Sequence, residues 1–585
     1  MAGSSQTHIT DNKLACVVGP FPLTERGVPT IIHGHPKEPR IIYASRASVV
    51  MRHLNDPSDT FVYHGHQSSV TVAKFSPSGC WVASADESGK VRVWAWDNPE
   101  HILKVEVPAF AGRIIDLDWD SESKRIVVVG EGKEFSAKCF MWDTGNSVGE
   151  MVGHTKRIVT CSYKPNRPYR IMTGGEDFKS CFFAGPPFRL AHSNTDHTKE
   201  VWCVRYSPDG SNLASVGADR RIVFYDAKDG TKKSEVVEGS EGAHTSSILS
   251  CCWSPDSLKL ATASLDKTVK VWNAATGSCE ATHTFGDTPS LADMQQCVVW
   301  CGPVLVALNL AGEINYLNPV EPCAASNKIT GHYASISCLF ATPGCPDFLT
   351  GGADGLVLKW SPSAGAVGPV AAKVLGSDPA TRSSHRGKVV GCYVEASGSI
   401  VSAGWDDKVM FCEGHEGARM AAEANEPTSG QPVATGFCAA TGLLAVGTSE
   451  AVVQFFKGGA ALFVGSLPGT PRALALNHDE TELAVGVANE IHIISVDMVA
   501  QTLTLVKKLE GHRGDLSALA YSPDGATLAA GDGNREIKLW DKTSDWAAKV
   551  SGKWVFHTST VNCLAWAPDG AFLASGSNDQ SVFIW

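Results

Sequence analysis

The sequence predicts an all-β protein assembled from many small antiparallel sheets, and three observations carry that reading. The first is a register. His66, His197, His244, His332, His512 and His557 are each followed 28 residues later by an aromatic: Trp94, Tyr225, Trp272, Trp360, Trp540 and Trp585. His154 reaches Phe183 after 29 residues and His385 reaches Cys412 after 27. The second is turn chemistry. Ser207-Pro208-Asp209-Gly210, Ser522-Pro523-Asp524-Gly525 and Ala567-Pro568-Asp569-Gly570 all begin 10 residues past the histidine, where proline fixes φ and glycine accepts a positive φ. The third is what lies between the turns: short β-branched runs such as Leu213–Val216 and Thr268–Trp272, of strand length. Self-similarity at this period marks a repeat architecture.

Along the chain, the first unit is a weak copy at Arg40–His53 with strand runs but no histidine signature, and His66 opens the first clear one. Arg113–Trp142 is weak again, then His154, His197 and His244 head three clear units, and Gln296–Tyr316 is weak. His332 and His385 open the next two, Val433–Phe456 and Arg472–Val496 are weak, and His512 and His557 head the last pair. Within the clear units a Ser or Thr recurs at 18 residues past the histidine and an Asp at 22, which makes His244, Thr262, Asp266, Trp272 and His332, Thr350, Asp354, Trp360 complete polar tetrads. Hydrogen bonded in series, such a set satisfies groups that burial would otherwise leave costly.

Gly-His at one end (Gly65-His66, Gly153-His154, Gly331-His332, Gly511-His512) and Trp-Asp or a relative at the other (Trp142-Asp143, Tyr225-Asp226, Trp540-Asp541) are the WD-repeat pattern. The resemblance implies β-propellers of four-stranded blades. Thirteen units exceed one ring. Seven blades would end near Asn318, just before Pro319–Ser326, giving a first propeller over 1–320 and a second over 321–585. Six units remain for the second ring, and the chain stops on Trp585, so we expect a seven-bladed ring whose last blade is missing; a six-bladed ring is the rival. An N-terminal strand is expected at Leu14–Val18.

Composition narrows the function classes. Hydrophobic residues make up 43% and charged ones 19%, which excludes a disordered chain. Fifty Lys and Arg against 61 Asp and Glu give a net charge of -11, against a nucleic-acid partner that needs a broad basic surface. No secretory signal and no apolar stretch of spanning length is visible, so a soluble protein without a membrane partner is expected. The 18 cysteines are scattered without C-x-x-C pairs and read as small core residues in a reducing compartment; Cys251-Cys252 and Cys297/Cys301 make no tetrahedral site. Asp116-x-Asp118-x-Asp120 lacks the glycine and glutamate of a calcium loop. Hydrolase, P-loop and dinucleotide motifs are absent, so no enzyme, catalytic residue, metal or cofactor is expected.

The unusual stretches lie between the second and fourth units: Val128-Val129-Gly130-Glu131-Gly132, Arg167-Pro168-Tyr169-Arg170, Gly174-Gly175-Glu176-Asp177 and Gly185-Pro186-Pro187-Phe188-Arg189. With Pro108-Ala109-Phe110-Ala111-Gly112 and Gly312 to Asn318, they resemble the actin-interacting protein 1 family, cofactors of cofilin in actin filament disassembly. The resemblance implies two seven-bladed propellers, a monomer, filamentous actin and cofilin as partners, and a place in actin-rich structures of the cytoplasm. The family's actin-binding positions map to Glu131, Glu176, Arg189, Leu190 and Glu200. Arg189 stands for the usual Lys and Glu176 for the usual Asp, while Leu190 and Glu200 replace aromatics. Phe188 is expected to tip a stiff, exposed loop and supply apolar contact area. A general WD-repeat scaffold with no actin role is the alternative.

Overall fold

Backbone hydrogen bonding organises the described residues of the chain, in a computed structural model, into antiparallel sheets of consecutive strands, twelve of four strands and one of three. The structure describes residues 19–585 apart from 57–58, 99, 133–134, 238, 286–288, 320–326, 330, 342–346, 362–369, 376–384, 396–397, 413–424 and 580. The expected strand Leu14–Val18 and nearly all of the Pro319–Ser326 stretch lie outside the described residues.

Sheets one to seven run from Ile32–Gly34 to Thr60–Tyr63, from Val70–Phe75 to Leu103–Pro108, from Ile114–Trp119 to Ser147–Glu150, from Ile158–Tyr163 to Arg189–Asn194, from Val201–Tyr206 to Lys232–Val236, from Ile248–Trp253 to Cys279–Thr284 and from Gln295–Cys301 to Asn327–Ile329. Sheets eight to thirteen run from Ile336–Ala341 to Val370–Leu375, from Val389–Val394 to Asn425–Pro427, from Pro432–Cys438 to Ala460–Ser466, from Ala473–Leu476 to Thr502–Leu509, from Leu516–Tyr521 to Ala547–Trp554 and from Val561–Trp566 to Val582–Ile584. Each weak copy in the sequence is thus a sheet in its own right. Among the described residues the one helix is a 3-10 turn at Leu291–Asp293, capped by Ser290. The architecture is all-β, of repeated WD-type sheets.

In most sheets the outermost, fourth strand is the most exposed. In sheet four every residue of Ile158–Tyr163 is buried, whereas Arg189–Asn194 is largely exposed. The core therefore sits between sheets: residues of sheets two and three interleave in one cluster (Val72, Val91, Ile114, Leu117, Ile126), and those of sheets five and six in another (Val216, Phe224, Ile248, Trp253). Most first strands carry a bulge two residues from their start, as at Val201/Cys203 and Ile248/Ser250, which re-aims the side chains that follow.

Two compact units result. The first runs through Tyr333, and Asn327–Ile329, which pairs with Ile314–Leu317 to complete sheet seven, lies past the expected boundary at residue 320. Its sheet seven packs back on sheet one, Cys297, Cys301 and Leu308 against Ile32, Ile41 and Tyr43. The second unit takes Ala334–Pro362 and Ala371–Trp585. Its sheets pack in sequence, and on its first and last sheets Ile336, Leu339, Phe572, Val582 and Ile584 are exposed.

Candidate functional site

The repeated histidines are absorbed by the sheets themselves. In sheet six the Trp272 indole donates to Thr262 Oγ1 at 2.8 Å, which lies 2.8 Å from His244 Nε2, and His244 Nδ1 stands 2.7 Å from Asp266 Oδ2. Burial disfavours charge on His244 and pushes its pKa down; burial alone would raise Asp266, but the bond from His244 brings it to about 2. A neutral imidazole therefore links a carboxylate to a hydroxyl, a series that a single histidine can bridge because it donates from one nitrogen and accepts at the other. In sheet eight Trp360 donates to Thr350 at 2.7 Å. Sheets two, four, nine and thirteen carry the same His-to-Asp contact, at Asp86, Asp177, Asp406 and Asp579. Asp86 and Asp177 are 20 and 23 residues from their histidines, a spacing that the sequence search at 22 passes over.

Glu131 and Glu176 come together through a residue that the motifs did not single out. Arg157 Nη1 donates to Glu131 Oε1 at 2.6 Å, and its Nε donates to Glu176 Oε1 at 3.0 Å, with Nη2 on the same oxygen. The geometry follows from the repeat. Glu87, Glu131 and Glu176 each stand one residue past the second strand of sheets two, three and four, with the backbone N–H bonded to the carbonyl of Ser69, Arg113 and Arg157 respectively. Arg113 Nε lies 3.6 Å from Glu87 Oε1, so carboxylates and guanidinium groups alternate across three sheets. In sheet five Glu200 takes the place that Arg113 and Arg157 hold, its carbonyl accepting from Ala218. Beside this arc Phe178 is 37% exposed in the turn after Glu176, with Lys156 Nζ 5.3 Å from its ring centre, and Val152 is 73% exposed. Charged rows with exposed aromatic and aliphatic side chains are the composition of a protein interface.

Phe188 does not belong to that surface. It is 2% exposed, edge-on to Tyr163 at 5.7 Å, and packed with Val127, Tyr169 and Phe183 between sheets three and four. The loop turns inward because Gly185 has no side chain: a Cβ there would stand 2.6 Å from the Phe188 backbone. The exposed aromatic expected at Phe188 is Phe178 instead. Arg189 is exposed, but it pairs with Ala184, at the opposite end of sheet four from Glu176. A strand of five or six residues separates the two ends by roughly 16 to 20 Å. Leu190, next to it, is 42% exposed on the outermost strand.

At the centre of the first unit, its first strands surround a cavity of about 230 Å³ lined by Lys74, Asp116, Thr160, Arg205 and the thiols of Cys203, Cys251 and Cys297. Asp116 is fully buried, its Oδ1 2.8 Å from Lys74 Nζ and its Oδ2 3.3 Å from Arg205 Nη1. Burial would raise its pKa, but Lys74 and Arg205 hold it below the usual value. Asp118 accepts from the Tyr163 backbone at 2.7 Å, and Asp120 from Lys124 and Arg125. The three aspartates thus serve three separate ends. Among the described residues no group of three or more His, Cys, Asp or Glu is placed to hold a metal, and no helix is long and apolar enough to cross a membrane.

The family of the WD domain, G-beta repeat, matches residues 57–95, 188–226, 238–273, 503–541 and 549–585. Four of these five stretches start around the outermost strand of one sheet and end with the third strand of the next, so the sequence repeat is offset from the sheet by one strand. The chain is 35% identical over 547 residues to the 66 kDa stress protein of Physarum polycephalum, a match covering 93% of this chain and 87% of that protein. It is 36% identical over 536 residues to actin-interacting protein 1-2 of Arabidopsis thaliana, covering 91% and 85%. To WD repeat-containing protein 1-B of Xenopus laevis it is 35% identical over 535 residues, covering 90% and 84%.

Proposed function

Because the chain belongs to the actin-interacting protein 1 family, whose members also carry the name WD repeat-containing protein 1, we propose that it binds filamentous actin and, with cofilin, promotes filament disassembly. It works by binding, without bond chemistry and without a cofactor, as a monomer made of two propellers, in actin-rich structures of the cytoplasm. A module of this kind acts by preferring one filament state over another, and the difference in affinity sets how far it shifts the balance. The observation that carries the reading is the arc of sheets two to four. By the family resemblance Glu131 and Glu176 fall at actin-binding positions, and here Arg157 pairs with both in one row at the surface. Such a row offers carboxylate oxygens to basic groups on a cofilin-decorated filament, with Phe178 and Val152 adding apolar area.

Co-sedimentation tests it. Filamentous actin is pelleted with and without cofilin in the presence of this protein, and the actin left in the pellet is measured. The expected result is a loss of actin to the supernatant only when both are present. Pellets unchanged by the intact chain would overturn the reading and leave a scaffold with other partners. The variant Glu131→Lys separates the two ends of sheet four: it is expected to reduce release at least tenfold, whereas Arg189→Glu at the far end is expected to have the smaller effect.

A further inference from the structure

Four thiols meet in two pairs, at equivalent points of the two units. In the first unit Cys203 and Cys251 stand on the first strands of sheets five and six with their sulfurs 3.7 Å apart. In the second, Cys338 and Cys392 stand on the first strands of sheets eight and nine at 3.5 Å. The equivalence is one of register. Cys203 and Cys338 are each the first residue paired beyond the bulge, and Cys251 and Cys392 the second. Neighbouring positions on a strand point to opposite faces, so these two positions face each other across adjacent sheets. Elsewhere the same meeting point holds a hydroxyl against backbone: Thr160 Oγ1 accepts from the Val204 N–H at 3.3 Å, and Ser250 Oγ from the Val298 N–H at 3.4 Å. In both units one such meeting point sets thiol against thiol.

All four are free thiols, Cys338 half-buried and the others buried. Sulfurs in van der Waals contact need to close by about 1.5 Å to bond, within reach of small χ1 rotations and strand shifts. Access is provided in the first unit by the central cavity, which Cys203 and Cys251 both line. Arg205, two residues past Cys203, places a cation near that sulfur, and the hydrogen bond from Cys251 favours its thiolate.

We propose that these two dithiols are an oxidative modification site, at which an oxidant of the peroxide class forms a disulfide between neighbouring sheets of each unit. The Cys203 thiolate attacks one oxygen of hydrogen peroxide, the O–O bond breaks, and a sulfenic acid and hydroxide result. The Cys251 sulfur then attacks the sulfenic sulfur, the S–S bond forms, the S–O bond breaks, and the thiol proton leaves with the oxygen as water. Two thiols and one peroxide give one disulfide and two waters. Cys338 and Cys392 follow the same course. The bonds close loops of 48 and 54 residues and add a covalent link between sheets that otherwise rest on packing and a few hydrogen bonds, such as the Trp253 indole to the Arg205 carbonyl and Ser337 Oγ to the Val389 carbonyl, so the oxidised protein resists thermal opening of those interfaces.

The test treats the folded, full-length chain with hydrogen peroxide, blocks remaining thiols by alkylation, digests without reductant and maps the peptides by mass spectrometry. The expected result is two cross-linked species, Cys203 with Cys251 and Cys338 with Cys392, that grow with peroxide and vanish on reduction, together with a rise of a few degrees in the unfolding midpoint. Cys203→Ser and Cys338→Ser are each expected to remove only their own cross-link. Recovery of all four cysteines as alkylated thiols, with oxidation confined to the exposed Cys80 and Cys563, would overturn the proposal, and the wild-type digest alone decides this.

Discussion

Ala530 occupies the position that Ser or Thr holds in seven other sheets, from Ser84 in sheet two to Ser575 in sheet thirteen, and two buried groups are left without a partner for that reason. His512 Nε2 and the Trp540 indole both lack a hydrogen bond, although His512 Nδ1 keeps its contact to Asp532 at 3.1 Å. Ala530→Ser supplies the missing oxygen between them. It is expected to stabilise the second unit by about 1 kcal/mol, read from urea unfolding, since a buried unpaired group is worth about that much to satisfy. Thr262→Val is the reverse experiment in sheet six. It keeps the shape, strips His244 and Trp272 of their shared oxygen, and is expected to cost about 2–4 kcal/mol. A third side chain sets a pH dependence. His33 Nδ1 accepts the Phe75 N–H at 3.3 Å, and burial, with Lys74 and Arg205 near, holds its pKa down at about 3. The unfolded chain protonates His33 near pH 6.5 while the folded chain resists, so this contribution is intact above pH 6.5 and is lost as pH falls towards 3. Unfolding free energies from urea titrations between pH 7 and 4 are expected to fall with a slope of up to about 1.4 kcal/mol per pH unit from this group, and His33→Asn, which keeps an acceptor, is expected to flatten it. Equal slopes for both proteins would reject the assignment.

At the scale of the element, the repeat register was legible because its residues have a geometric job: a histidine before the first strand, a hydroxyl on the second and an aromatic on the third are brought side by side by antiparallel pairing, as Leu260 opposite Trp272 and Thr262 opposite Lys270 display. The weak copies were legible as strands for a different reason, their β-branched runs. What sequence could not give is what lies across a sheet boundary. Arg157 is one arginine among many until the offset of sheets three and four sets it between Glu131 and Glu176. Lys74, Asp116 and Arg205, from three different sheets, meet only because the first strands converge. The loop before Arg189 misled in the same way: prolines flanking a phenylalanine read as an exposed tip, but the glycine at 185 lets the chain fold back until Phe188 fills a gap between sheets. Phe188→Ala is therefore expected to destabilise by about 3–5 kcal/mol, the cost of a buried aromatic cavity, and to leave actin release per folded molecule unchanged. Loss of release at unchanged stability would return Phe188 to the binding surface.

For the whole molecule, the two units differ in how their sheets are covered. In the first, sheet seven lies on sheet one and every sheet in the circuit has a neighbour on both faces. In the second, Ile336 and Leu339 of sheet eight are 55% and 65% exposed, and Val582 and Ile584 of sheet thirteen 71% and 51%. Apolar area left in water contributes nothing to folding, at about 25 cal/mol for each Å² that a neighbour would have covered. The second unit is expected to be the weaker, and scanning calorimetry is expected to resolve two transitions with the second unit melting first. The residue-scale variants identify which is which. Ala530→Ser lies in the second unit and is expected to raise only the lower midpoint, whereas Thr262→Val lies in the first and is expected to lower only the upper one. A single transition that moves with both variants would mean that the units unfold as one, and the stability of each would then be set by their sum and not by the covering of its own sheets.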